Sequence, residues 1–210
     1  MSNMFSITPV GKAAFSYPYD PGYSMMFPRY EEGNLSLTGG SQTDTDIVTV
    51  SLWNKSVFKA GYGTFLNYVE DANNYGIFRA EDGTNFRFYQ EVAGVSTDIS
   101  WLVQRSFDAT GWMHIVLACD SGQATAANRI RLYINNVEQT QTVTSQIVQD
   151  TNVQLHTVAP GGAQYIGDQP AGAITRHADA IYHDFIIVDG QQLTPSSFGK
   201  EKSGIWVPID

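Results

Sequence analysis

Trp112–Gln139 reads WMHIVLACD, then SGQATAAN, then RIRLYINNVEQ. The first run, Trp112 to Cys119, is apolar apart from His114. It predicts a central strand covered on both faces, with Trp112 in the core. The last run alternates. Ile130, Leu132 and Ile134 fall on one face, Arg129, Arg131 and Tyr133 on the other. Asn135-Asn136 tolerates positive φ, so the chain can turn back tightly onto Val137. This stretch therefore predicts two adjoining antiparallel strands closed by a short hairpin.

The same chemistry runs outward in both directions. SMMF (24–27) and NLSLT (34–38) predict short strands with EEGN as a turn between them. DIVTVSLW (46–53) places Val48, Val50 and Leu52 on one face. Gly61 and Gly63 predict a bend or bulge before FLNYV. YGIFRA and NFRFYQE form a hairpin around Asp82-Gly83. A polar strand is expected over 142–148, then a strand in VQLHTV. In AIYHDFIIV (180–188), Ile181, His183, Phe185 and Ile187 are expected on one face. The tail after Gly190 predicts irregular chain, with one helical turn capped by Thr194 and opened by Pro195. Roughly a dozen short strands separated by turns, and no helical period, give an all-β, two-sheet antiparallel sandwich.

Composition narrows the function classes. The 210 residues suit a single β domain and are 12% aromatic and 16% charged, enough for a large core. Twelve Lys and Arg against 21 Asp and Glu give a net charge of −9. That balance opposes binding to nucleic acid or to anionic membrane. The single cysteine, Cys119, predicts a buried, inert thiol and no intrachain disulfide. The N-terminus has no basic head and apolar run, so no secretion signal is expected and synthesis is placed in the cytosol.

Residues 1–23 contrast with the rest. They are rich in Pro and Gly and carry Phe5, Phe15, Tyr17, Tyr19 and Tyr23. This predicts an N-terminal arm, which either packs on its own domain or docks on a partner. Residues 24–210 are then one folded domain.

TVSLW (49–53), GWMHIVLACD (111–120), RIRLYINNVEQ (129–139), YIGD (165–168) and HDFIIVDGQQLTPSSFG (183–199) together resemble the concanavalin A-like lectin/glucanase superfamily, in its laminin-G/pentraxin-like branch. VDGQQLTPSSFG followed by GIWVP is similar to the C-terminal signature of lectin-like proteins of tailed bacteriophages. The resemblance implies a jelly-roll sandwich and a non-enzymatic place on a virion surface, as capsid decoration or fibre component. Its partners would be other virion proteins or copies of the same chain. A glycan-binding adhesion module is the alternative, and a glycoside hydrolase the third. Asn136 stands where the branch often has Gly, and the disulfides of pentraxins are absent.

The residues that could carry chemistry are few. Glycoside hydrolysis needs two carboxylates about 5–9 Å apart, and no E-x-D-x-E spacing occurs. Asp44 and Asp46, two residues apart at a strand entrance, are candidates for calcium, as a cofactor otherwise not expected. Asp71, Asn73 and Asn74 form a second oxygen-rich loop. Asp120 and Asp168 are expected to cap turns. His114, His156, His177 and His183 lack metal-ligand spacing, and His114 and His183 are expected to be hydrogen-bonded within strands. Carbohydrate binding needs aromatic faces beside amides and carboxylates. Tyr62, Asn73, Asn74, Tyr75, Tyr165 and Trp206 are the candidates.

Overall fold

The computed structural model describes residues 24–27, 34–38, 43–56, 63–81, 84–103, 111–156, 162–169 and 177–209. The arm 1–23, Tyr62 and the Asp82-Gly83 turn lie outside them. Fifteen strands are described: β1 (Met25–Phe27), β2 (Leu35–Thr38), β3 (Ile47–Ser56), β4 (Gly63–Asp71), β5 (Asn74–Glu81), β6 (Asn85–Val92), β7 (Val95–Leu102) and β8 (Met113–Asp120). Then come β9 (Ile130–Ile134), β10 (Val137–Glu138), β11 (Gln141–Ser145), β12 (Ala163–Ile166), β13 (Ala180–Asp189), β14 (Gly199–Lys202) and β15 (Ile205–Pro208). The helical content among the described residues is two three-residue turns, at Ala126–Asn128 and Pro195–Ser197. No described helix is long and apolar enough to cross a membrane.

One sheet has the order β1-β13-β3-β8-β9-β10, the other β11-β7-β6-β5-β4-β12-β2. All their pairings are antiparallel. Their inner faces share one core. Val48, Val50, Leu52, Ile115, Leu117, Cys119, Ile130 and Leu132 come from the six-stranded sheet. Phe78, Phe86, Phe88, Ile99 and Trp101 come from the seven-stranded sheet. Fully burying one such side chain contributes about 1.5–3 kcal/mol, so this layer supplies most of the driving force for closing the sandwich.

The central hairpin forms as its alternation dictates. Ile115 pairs with Ile134, Leu117 with Leu132 and Cys119 with Ile130, all facing inward. Asn135 and Asn136 turn the chain at φ 47° and 68°. Cys119 is fully buried, and burial pushes its thiol well above the usual range, which keeps it inert.

Three expectations need correction. Trp112 precedes β8 and is only half-buried, its ring edge-on to His183, because the strand reaches the core only from Met113 onward. In β13, a bulge between His183 and Ile186, with Asp184 at φ 45°, shifts the alternation by one residue. His183 therefore pairs with Trp53 on the outer face, whereas Phe185 and Ile187 pack on the core. The two short strands expected on either side of EEGN are present and do not pair with each other. β1 pairs with β13 in one sheet and β2 with β12 in the other.

The third concerns VQLHTV. Val153 and Leu155 enter the core, but their segment makes no strand. Side chains occupy its backbone instead. Gln90 donates to the Asn152 carbonyl and accepts from the Gln154 N–H, and Gln164 donates to the Leu155 carbonyl. Gly76 makes room for this plug, since a Cβ there would strike the carbonyl of Gln154.

Candidate functional site

The two outer faces differ. The outer face of the six-stranded sheet carries Thr49, Ser51, Trp53, His114, Val116 and Ala118, and the C-terminal segment lies against it. Thr49 Oγ1 donates to the Gln191 carbonyl and accepts from the Leu193 N–H. Phe198 packs with Val116, Ala118 and Tyr133. The tail is thus ordered, and β14 and β15 form a hairpin within it. Pro195 opens the expected turn, although Thr194 contacts Ser196 rather than capping the backbone. Trp206, a carbohydrate candidate, is consumed here. Its Nε1–H donates to His114 Nδ1 at 2.9 Å, and the His114 ring stacks on Trp53. His114 Nε2 lies 2.9 Å from Ser51 Oγ, so this histidine is hydrogen-bonded as expected.

The outer face of the seven-stranded sheet is built differently. Directly paired residues of an antiparallel ladder share a face. One row across it is Tyr165, Asn67, Ile77, Tyr89 and Asp98. The next is Ala163, Val69, Tyr75, Glu91 and Ser96, and a third is Thr64, Arg79, Arg87 and Ser100. Ile77 and Asn67 are buried at its floor, while Tyr75, Tyr89, Arg87, Glu91 and Asp98 are half-buried.

Their contacts make a continuous platform. The rings of Tyr75 and Tyr89 sit 5.8 Å apart, tilted by 31°. Both hydroxyls reach Glu91 Oε2, at 3.3 and 3.4 Å, and Tyr89 also reaches Ser96 Oγ at 3.2 Å. The Arg87 guanidinium lies 5.5 Å from the Tyr89 centroid. It pairs with both oxygens of Asp98, at 2.8 and 2.7 Å, and with Glu81 at 3.0 Å. Glu81 also pairs with Arg79.

The electrostatics follow from these contacts. Burial pushes Glu81 up, but Arg79 and Arg87 outweigh it and hold the carboxyl below its usual range. Asp98 raises the Arg87 guanidinium further, against the opposing effect of burial, and Glu81 adds to the rise. Burial first, then Tyr89 and Glu91, raise the Tyr75 phenol, so it keeps its proton and can donate. The platform thus offers two aromatic rings, phenolic hydroxyls, a hydroxymethyl group and carboxylate acceptors, all set by backbone pairing.

The oxygen-rich loops are self-satisfied. Asp71 accepts from the Asn73 N–H and the Asn74 amide, which hold its carboxyl below the usual range. Asn74 Oδ1 takes the Ala93 N–H, tying two hairpin turns together. Asp44 Oδ1 accepts the Asp46 N–H at 2.8 Å, and Asp46 Oδ1 faces the Thr45 hydroxyl. Asp189 accepts the N–H groups of Thr43 and Asp44, which outweigh its burial and keep it ionised. Burial pushes His156, beside it, down. Among the described residues no three His, Cys, Asp or Glu side chains gather to hold a metal ion. Asp120 caps the Gly122 N–H, and Asp168 accepts from Gln169, as turn residues do.

Of the carbohydrate candidates, Tyr75 and Tyr165 share the platform face, Asn73 and Asn74 sit at its loop rim, and Trp206 lies in the β14–β15 hairpin against the other sheet. Arg79, Glu81, Arg87, Tyr89, Glu91, Ser96 and Asp98 were not among them. The signal for three of these is in NFRFYQE, whose period of two sends Phe86 and Phe88 inward and Arg87, Tyr89 and Glu91 outward.

Comparison with known proteins agrees with this architecture. A laminin-G family model, described as belonging to the concanavalin A-like lectin/glucanases superfamily, matches residues 30–196. Domains LG4-5 of the mouse laminin alpha1 chain superpose with a TM-score of 0.58 at 14% identity, over 90% of this chain and 48% of that one. The heptameric SAP-like pentraxin of Limulus polyphemus gives 0.53 at 14%, over 83% and 78%. The CBM40 of a Ruminococcus gnavus IT-sialidase, bound to α2,3-sialyllactose, gives 0.50 at 7%, over 79% and 94%. No curated protein matches the chain by sequence.

Proposed function

The chain belongs to the concanavalin A-like lectin/glucanase superfamily, and from that membership and the tyrosine platform we propose that it is a non-enzymatic glycan-binding module. The observation that carries this reading is the Tyr75–Tyr89 pair, joined through Glu91 on the outer face of the seven-stranded sheet. Sugar rings present apolar C–H faces that stack on aromatic rings, and hydroxyls that both donate and accept. The platform supplies rings for the first, and Glu91, Ser96 and the phenols for the second. The neighbours agree in kind, since one is a carbohydrate-binding module bound to a sialylated sugar.

Catalysis is not part of the proposal. A hydrolase needs one carboxyl held protonated as general acid. Glu81 is instead held ionised by two arginines. Incubation with polysaccharides should release no reducing ends. Titration calorimetry against a glycan panel tests binding. Tyr75→Ala and Tyr89→Ala should each weaken the bound glycan by about tenfold or more, with little change in melting temperature. Variants that bind like wild type would overturn the platform.

The C-terminal stretch favours a second reading about where such a module works. VDGQQLTPSSFG and GIWVP are similar to the tail signature of bacteriophage lectin-like proteins. We propose that the chain sits on a virion surface as a decoration or fibre component, with the aromatic arm 1–23 as its attachment. Cryo-EM of the parent particle, with and without residues 1–23, tests this. Full occupancy after deletion would sink the attachment, and absence of the chain from the particle would sink the location.

A further inference from the structure

On the basis of the glycan-platform reading, we infer that this face selects neutral sugars and rejects acidic ones. Acidic sugars bind through free cations, usually a guanidinium fork offered to the sugar carboxylate. The fork here is already filled. Arg87 uses Nε and one terminal nitrogen on the two oxygens of Asp98, and its other terminal nitrogen on Glu81. Arg79 pairs with the same Glu81 oxygen, at 2.5 Å. Two cations therefore face three carboxylates, Glu81, Asp98 and Glu91, and the platform carries a net charge of −1.

The carboxylates are also well placed to keep those cations. The side chains of Glu81 and Asp98 are 17% and 18% exposed, against 26% for Arg87. A sugar carboxylate would have to displace a half-buried carboxylate from a bidentate pair and then sit beside it. Removing one partner of such a pair leaves an uncompensated charge, which costs more than an exposed contact returns.

Glu91 is different. Its contacts with Tyr75 and Tyr89, at 3.3 and 3.4 Å, are longer than ordinary O–H···O bonds. No arginine or lysine pairs with it among the described ion pairs. It is the acceptor with bonding capacity to spare, and what it needs is a donor. A neutral sugar supplies hydroxyl donors. An acidic sugar supplies a second anion.

The matched pair lactose and α2,3-sialyllactose separates the outcomes, measured by calorimetry on the full chain alongside neutral and uronate polysaccharides (laminarin and alginate). The expected result is binding to a neutral member at least about tenfold tighter than to its charged counterpart, weakened by Tyr89→Ala. The neutral affinity should change little between low and high salt, because no ion pair forms on binding. Asp98→Asn, which frees one edge of Arg87 with little change of shape, should narrow the preference. Tighter, Tyr89-dependent binding to the charged members would overturn the neutral selectivity and leave the platform standing. A folded chain that binds none of the four would overturn both.

Discussion

The indole N–H of Trp206 donates to Nδ1 of His114, 92 residues earlier in the chain, at 2.9 Å. An indole can only donate, so Nδ1 must be the bare nitrogen, and the imidazole proton sits on Nε2, facing Ser51. The bond therefore requires a neutral histidine. Protonation of Nδ1 would set two donors against each other.

Acid should loosen the fold through this residue. Burial lowers His114 to about 4, although Asp184 opposes the shift. An unfolded histidine titrates near 6.5. Below that value the unfolded chain takes up a proton that the folded chain refuses. Stability is thus complete above about pH 6.5 and falls as pH drops toward 4, by about 3 kcal/mol. Urea melts at pH 7, 5.5 and 4.5 measure the slope. His156, also lowered by burial, adds to it. The slope should be visibly shallower in His114→Gln; an unchanged slope would show that His114 is not responsible.

Two tryptophans should separate cleanly. Trp206 is hydrogen-bonded to His114 and covers Gly199, where a Cβ would collide with its ring. Trp206→Ala should cost about 2–4 kcal/mol and expose the segment after Gly190 to protease. Trp112, half-buried outside β8, should cost about 1–2 kcal/mol on truncation. Denaturant midpoints and limited proteolysis rank the pair. The opposite ranking would mean that the tail is not held by Trp206.

Gly76→Ala should destabilise by about 1–3 kcal/mol, because the methyl group meets the Gln154 carbonyl. The plug carries Val153 and Leu155 into the core, so the loss should also appear as faster amide exchange across 150–156. A stable Gly76→Ala protein would mean that the plug can shift without penalty.

The hairpin asparagines are not equivalent. Asn135 Oδ1 accepts the His114 N–H at 2.8 Å, whereas Asn136 is exposed. Glycine fits the left-handed backbone at both positions. Asn135→Gly should therefore cost about 1 kcal/mol more than Asn136→Gly in a thermal melt, the difference being the lost side-chain acceptor. Equal effects would argue that this bond contributes nothing.

Alternation was enough to determine the sandwich. Val48, Val50 and Leu52, or Ile130, Leu132 and Ile134, can be buried together only on strands, because only a period of two puts them on one face. Asn135-Asn136 named its own turn, because few residue types accept positive φ. What the sequence could not disclose depends on contacts between distant segments. One bulged residue at Asp184 exchanged the faces of β13. Val153 and Leu155 look like strand residues, yet Gln90 and Gln164 from other strands hold their backbone. Trp206 had the composition of a sugar-binding residue until the tail folded onto His114. The platform was half legible. Alternation in NFRFYQE orders Arg87, Tyr89 and Glu91 along one edge, but their pairing with Tyr75, Asp98 and Glu81 follows from the register of three neighbouring strands, and register is a property of the closed sheet rather than of any one segment.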